Sequence, residues 1–293
     1  MFMSDFGKNV NLRMSSLSSA RSVLFAPGND RRKLENALEC GADAVVADLE
    51  DAVPADEKTT ARRLAAQVLA EATTESVVAV RVNGTDTAFW EDDLRALAGL
   101  ELGFLVLPKS TPEAVARLGG DGPPVLAIVE SAQGLKRAYE VASAPRVAAL
   151  ALGAVDLALE LGLEPRRDGQ EVLLARSQLV LDSAAARIRA PFDLVHLDIR
   201  DGAALEAECR LARSLGFRGK LCIHPAQIET VNRVFSASEE EVERARRVVA
   251  AYEREAAEGR GAVAVDGEMV DLPVVERARQ VLAEAERSVP DGN

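Results

Sequence analysis

The chain has 293 residues, 48% of them apolar, with 35 basic residues against 47 acidic ones and a net charge of −12. That apolar fraction supports a sizeable core, in one large domain or two small ones. The acidic balance excludes the broad basic face that a nucleic-acid backbone requires, but leaves room for a small acidic ligand held by a few local cations.

Residues 1–20 carry Asp and Asn and lack the apolar stretch of a signal peptide, so they read as a disordered leader. From residue 22 a short apolar run followed by a helical pattern recurs. Strands are expected at 22–27, 44–50, 77–83, 103–109, 125–131, 147–156, 193–200 and 220–225. Helical spacing separates them, as over 56–72, 132–142, 170–188 and 203–215. The strands are rich in Val, Leu and Ile without polar alternation, which suits a parallel sheet buried on both faces. Eight strands alternating with helices predict an α/β fold, a closed (β/α)8 TIM barrel over 21–237. An open doubly wound sheet is the alternative, but no G-x-G-x-x-G follows the first strand. Beyond the barrel, 238–293 predicts a charged helix over 238–261, a turn at Asp266-Gly267 within 262–273, and an amphipathic helix over 273–288. The cysteines at 40, 209 and 222 have no metal-type spacing, and read as free thiols of a cytoplasmic protein. No run reaches the roughly 18 apolar residues of a membrane span.

In such barrels chemistry gathers at the C-terminal ends of the strands. Those ends carry Asp48, Glu50 and Asp51; Arg81 and Asn83; Lys109; Glu130 and Ser131; Gly153, Ala154 and Asp156; Asp198 and Arg200; and His224. Period-two alternation puts Asp48 and Glu50 on one face and Asp51 on the other. Hard oxygen donors from two strands suit Mg²⁺. Glu130 and Asp156 are the best pair, each a lone acid after an apolar strand, where an unpaired charge is costly to bury. Either could instead pair with Arg81 or Lys109. Lys109 fits a Schiff-base lysine less well than an ion-pair partner of the second-strand acids. Ser131 lacks a G-x-S-x-G context. His196 receives no role. Arg21 falls before the first strand, at the opposite end from these groups.

The motifs RSVLFAPG (21–28), DLEDAV (48–53) with Lys58 and Arg62, RVN (81–83), LPK (107–109), ES (130–131), GAVDL (153–157), DIRD (198–201) and IHPAQI (223–228) occur in an order that resembles the citrate lyase β-subunit family. That is a branch of the metal-dependent aldolases with the phosphoenolpyruvate/pyruvate-type barrel, and the resemblance spans about residues 21–288. It implies Glu130 and Asp156 as Mg²⁺ ligands, with Glu130 also lining the substrate pocket beside Gly153 and Ala154. Arg81 would grip the carboxylate of the substrate's keto or hydroxy acid part. Arg21, Lys33 and His224 would lie near an acyl-CoA. Asp48, Glu50, Asp51 and Lys109 would support the metal from behind its ligands. The segment AVAVDGEMVDLP (262–273) resembles stand-alone malyl-CoA and citramalyl-CoA lyases. There the Asp matching Asp271 serves a neighbouring subunit as acid/base; Asp266 is the competing residue, but its D-G context fits a turn. Val155 stands where relatives often carry an extra acid.

The resemblance thus implies a Mg²⁺-dependent lyase that splits a 3-hydroxyacyl-CoA into acetyl-CoA and pyruvate or glyoxylate, acting as a homo-oligomer, a trimer or hexamer. The alternatives are a citrate lyase β subunit working within a complex, and an aldolase for α-keto acids that uses no CoA.

Overall fold

The computed structural model describes residues 17–257 and 261–288. These fall into two compact units that divide between Phe235 and Ser236.

In the first unit seven parallel strands form a nearly closed TIM barrel. They are β1 (Ser22–Pro27), β2 (Ala44–Asp48), β3 (Val77–Arg81), β4 (Phe104–Leu107), β5 (Val125–Val129), β6 (Val147–Leu152) and β7 (Lys220–Cys222), in the order β6-β5-β4-β3-β2-β1-β7. Helices cover them: α1 (Arg31–Glu39), α2 (Lys58–Glu71), α3 (Trp90–Leu97), α4 (Pro112–Ala116), α5 (Ala132–Lys136), α6 (Ala138–Ala142), α7 (Ala154–Leu161), α8 (Leu173–Ala185), α9 (Gly202–Leu215) and α10 (Ile228–Phe235). Because side chains alternate across a strand, each strand feeds two cores. Val23, Val46, Ala79, Phe104, Val106, Leu126, Ile128, Ala149 and Ala151 fill the barrel interior. Leu24, Val45, Val80, Leu105, Ala127 and Leu150 face the helices. Residues 1–16 of the expected leader lie outside the described residues, but Leu17 and Ala20 are buried in the interior cluster.

The expected strand over 193–200 does not form. It is reduced to two bridges, Phe192 to Ala151 of β6 and Asp193 to Lys220 of β7, which complete the ring at its lower end. Asp193 N–H donates to the Gly219 carbonyl at 2.8 Å, and Leu221 N–H to the Asp193 carbonyl at 2.9 Å. Behind these bridges sits an ion cluster in which Arg176, Asp193 and Lys220 are fully buried and Glu208 partly so. Asp193 accepts from Arg176 Nε at 2.8 Å and from Lys220 Nζ at 2.9 Å, and Glu208 lies within 3.3 Å of both cations. Burial opposes ionisation of Asp193, but Lys220 and Arg176 outweigh it and hold the carboxyl below its usual range. The same burial pushes the thiols of Cys209 and Cys222 up to about 12, so they are inert.

The second unit consists of α11 (Glu239–Ala257), a hairpin of β8 (Val263–Val265) and β9 (Glu268–Val270), and α12 (Leu272–Ser288). Asp266 and Gly267 form the hairpin turn with φ of 52° and 84°, the left-handed pair that a type I′ turn requires. Val248, Val270, Val275 and Ala278 make its core. No helix among the described residues is long and apolar enough to cross a membrane.

Removing one charge from the cluster beneath β7 strands the rest. We predict that Lys220→Met lowers unfolding free energy in urea titrations by about 3–5 kcal/mol, the cost of breaking a buried ion pair. A loss under about 1 kcal/mol would show that the cluster is solvated.

Candidate active site

The strand ends converge on one cavity of about 530 Å³, whose walls include Phe25, Asp48, Asp51, Arg81, Ile128, Glu130, Gly153, Ala154, Val155, Asp156, Leu197 and Ile223. It sits at the C-terminal mouth of the barrel, as the sequence predicts for a parallel barrel.

Asp48 and Arg81 are direct neighbours in the β2–β3 ladder and both point inward. Arg81 donates from Nε to Asp48 Oδ1 at 2.7 Å and from Nη2 to Asp48 Oδ2 at 2.6 Å. Its Nη1 lies 3.0 Å from Glu50 Oε2, off the hydrogen-bond angle, and donates to Asp51 Oδ2 at 3.2 Å. The three acids therefore form one cluster about a single guanidinium, which corrects the alternation argument that separated Asp51. β2 stops at Asp48, and the chain turns over residues 49–51. Two features hold that turn: Asp48 accepts from Glu50 N–H at 2.9 Å, and the buried Lys58 ammonium donates to the Leu49 and Glu50 carbonyls at 2.6 Å each. The Phe25 ring lies 5.2 Å from the Arg81 guanidinium. Gly28 lets β1 close against this turn, since a Cβ there would lie 2.8 Å from the Asp48 carbonyl oxygen.

Across the cavity Glu130 is 4% exposed, and its Oε1 accepts from the Lys109 N–H at 2.6 Å. Lys109 takes a left-handed φ of 47°, a backbone state that costs a non-glycine residue about 1–3 kcal/mol and turns its amide to the carboxylate. Gly153 caps α7 and makes room for Glu130: a Cβ there would lie 2.4 Å from Glu130 Cβ. Asp156 lies in the first turn of α7 rather than on a strand.

Burial raises Glu130 to about 8, with Glu50 and Asp156 adding to the rise. Burial likewise raises Glu50 to about 7, against the pull of Arg81. Burial, only partly offset by nearby positive charge, thus shifts both carboxyls toward the protonated form. Lys109 Nζ lies 3.6 Å from Glu50 Oε1. Burial works to lower the pKa of Lys109, but Glu50, Asp51, Glu130 and Asp156 together raise it, the reverse of what a Schiff-base lysine needs.

Glu130 and Asp156 suit a hard divalent cation, because Mg²⁺ takes one or two carboxylates and keeps the rest of its octahedron for water and substrate. Among the described residues no group of three or more His, Cys, Asp or Glu is placed to hold a metal ion, so the pair Glu130 and Asp156 would have to share it with water and substrate. The other sequence-derived residues divide. Lys33 is on the exposed first turn of α1, 3.4 Å from Asp30, and His224 follows β7 with its ring accepting from Ala226 N–H, so both are on the mouth side. Arg21 is not brought to the site. It precedes β1 at the lower end and pairs side-on with Asp43 at 2.8 Å, so its expected role beside acyl-CoA is withdrawn. Asp271 caps α12 in the second unit, its carboxylate 3.4 Å from Val274 N–H. His196, left without a role, meets Glu208 Oε2 at 2.9 Å. Phe25 and Lys58 went unrecognised as parts of the site. The inward phase of β1 was the available signal for Phe25.

Comparison with known proteins followed the same outline. The HpcH/HpaI aldolase/citrate lyase family profile matches residues 21–225, and that of a C–C bond lyase of the TIM-barrel fold matches 176–287. The chain is 43% identical over 256 residues to a (3S)-malyl-CoA thioesterase of Cereibacter sphaeroides, covering 86% of this chain and 89% of that protein. It is 37% identical over 271 residues to a citrate lyase subunit beta of Leuconostoc mesenteroides, covering 87% and 89%. The structure of CitE from Mycobacterium tuberculosis, in complex with magnesium, acetoacetate and coenzyme A, superposes with a TM-score of 0.80 at 36% identity, covering 91% of this chain and 98% of that one.

The raised carboxylates give a pH test. Glu130 binds its proton more tightly folded than unfolded, so without divalent cations stability falls as pH rises from about 4.5 toward 8. Mg²⁺ would displace that proton. The rise in thermal midpoint on adding Mg²⁺ is therefore expected to be larger at pH 8 than at pH 6, and Glu130→Gln to abolish it. A rise that is equal at both values would contradict the assignment.

Proposed function

Since this chain belongs to the HpcH/HpaI aldolase/citrate lyase family, we propose that it is a Mg²⁺-dependent carbon–carbon lyase acting on a 3-hydroxyacyl-CoA such as malyl-CoA or citramalyl-CoA. The observation that carries this reading is the buried Glu130 facing the same cavity as Asp156 and Arg81, in a mouth with more carboxylates than cations.

Glu130 and Asp156 would hold the metal, which supplies Lewis acidity to a hydroxyl oxygen and stabilises the negative charge that develops there. Arg81 has five N–H donors, of which Asp48 and Asp51 engage three. The remaining two can meet the substrate's carboxylate. Arg81 would therefore bind it while remaining clamped to Asp48, rather than through the fork edge that Asp48 occupies. This fixes the C–C bond to be broken relative to the metal site. The amide end of α7 at Gly153 and Ala154 lines the same wall. Cleavage turns the hydroxyl into a carbonyl with loss of its proton, and the C–C electron pair becomes an acetyl-CoA enolate that must gain one. We assign both transfers to Asp271 of a neighbouring subunit in a homo-oligomer, which would take the hydroxyl proton and return it to carbon. Lys33 and His224 on the mouth side are the proposed contacts for the CoA portion.

A second reading is favoured by the likeness to the thioesterase: hydrolysis of the malyl-CoA thioester, yielding malate and free CoA. Purified protein with malyl-CoA separates the two. Glyoxylate and acetyl-CoA support the lyase, malate supports hydrolysis, and no turnover without added subunits supports a component of a citrate lyase complex.

Two substitutions test the assignments. Asp156→Ala is expected to lower Mg²⁺-dependent cleavage by at least about 100-fold with an unchanged unfolding midpoint, whereas full activity in EDTA would remove the metal from the mechanism. Asp271→Ala is expected to lose turnover while still binding pyruvate and Mg²⁺ in calorimetry; lost binding would make it structural.

A further inference from the structure

Above the bridges at Phe192 and Asp193, the barrel ring has a seam. In a continuing parallel ladder, the Leu221 N–H bond to the Asp193 carbonyl would be followed by one from Ile223 N–H to the Val195 carbonyl. The structure instead places the Gln227 side chain there. Its Oε1 accepts from Ile223 N–H at 2.9 Å and His224 N–H at 3.3 Å, while its Nε2 donates to the His196 carbonyl at 2.8 Å. The opposite amide orientation would set oxygen against the His196 carbonyl and nitrogen against two N–H groups, so the network fixes the orientation. Gln227 is 2% exposed. Beyond Asp193, residues 194–197 make no backbone–backbone hydrogen bond among those recorded for the described residues. Val195 and Leu197 on one side of the seam, and Ile223 on the other, line the 530 Å³ cavity.

We propose that Gln227 is a positioning residue that wedges two arms of the barrel apart at the mouth, residues 194–197 and the end of β7 at 223–224, and so sets the width of the substrate cavity between Leu197 and Ile223. The wedge works because one amide supplies both an acceptor and a donor. The two arms stay separated while the part-buried N–H groups of Ile223 and His224 and the His196 carbonyl keep partners. An apolar side chain of similar length satisfies neither arm. The Ile223 N–H is then released to pair directly with the facing arm, and Leu197 and Ile223 approach each other. The consequence is steric: a substrate with one more methyl group on the hydroxyl-bearing carbon suffers more than a smaller one. This inference rests on the lyase reading for its substrates, but the wedge itself does not.

The test compares wild type with Gln227→Leu and Gln227→Glu on malyl-CoA and citramalyl-CoA. Gln227→Leu is expected to raise the ratio of KM for citramalyl-CoA to KM for malyl-CoA by about tenfold, the lower range for one methylene in a tight pocket, with kcat on malyl-CoA changed by less than about threefold. Gln227→Glu keeps the acceptor for Ile223 and His224 but sets an oxygen against the His196 carbonyl, which pushes the arms apart rather than together. Its KM ratio is therefore expected to stay nearer to wild type than that of Gln227→Leu. An unchanged KM ratio, or a kcat lost equally on both substrates, would overturn the proposal. Hydrogen–deuterium exchange read in parallel keeps the two readings apart. If the wild type turns over neither substrate the lyase reading fails, and the wedge is then judged by exchange alone. Gln227→Leu must alter exchange over both 194–198 and 222–224 to sustain it, and a change in neither segment overturns it.

Discussion

The side-on pair between Asp48 and Arg81 is the constraint on which the mouth of this barrel depends. The two residues are register partners on adjacent strands. The ladder that builds the sheet thus also brings carboxylate and guanidinium into contact. Two short charge-assisted bonds then fix the plane of the guanidinium. Glu50 and Asp51 can crowd against it only because that cation is immobile, and Lys58 holds the turn that delivers them. Without Arg81 the three acids would repel one another and the β2 turn would lose its anchor.

Two charge clusters occupy this barrel, and their balance separates their roles. The lower one sets Arg176 and Lys220 against Asp193 and Glu208, equal numbers of formal charges. It joins the incomplete seventh strand to β7 and has no charge to spare. The upper one sets Asp48, Glu50, Asp51, Glu130 and Asp156 against Arg81, Lys109 and Lys58. Its surplus is negative, and in the absence of a cation burial makes Glu50 and Glu130 take up protons. A surplus of oxygen donors opening on a cavity suits a hard divalent ion. The family relationship and the magnesium in the related CitE complex accord with that reading.

Much of this was legible in the chain. The apolar runs over 22–27, 44–50, 77–83, 103–109, 125–131 and 147–156 correspond to β1–β6, each overshooting by at most a few residues, because strands buried on both faces carry an unbroken apolar signature. The overshoot matters at the sixth, where Asp156 belongs to the next helix. The stretch DLVHLDIR looked equally strand-like, yet only its first residue joins the sheet. Its His196 carbonyl meets Gln227 instead, and no periodicity announces that a distant side chain will enter a ladder. Arg21 failed for a different reason: it precedes β1, so strand direction puts it at the lower end, where it pairs with Asp43.

By itself the sequence determined the barrel class, the end of the barrel at which chemistry gathers, and the acids that face it. Side-chain alternation and strand direction follow from backbone geometry alone. Only the tertiary structure decided which charges neutralise one another. Asp51 turned toward Arg81 rather than away, Lys58 was spent on backbone carbonyls, and Glu130 was left buried and short of positive charge. Those outcomes depend on distance and desolvation across segments far apart in the chain. Both are set only when the ring of strands closes.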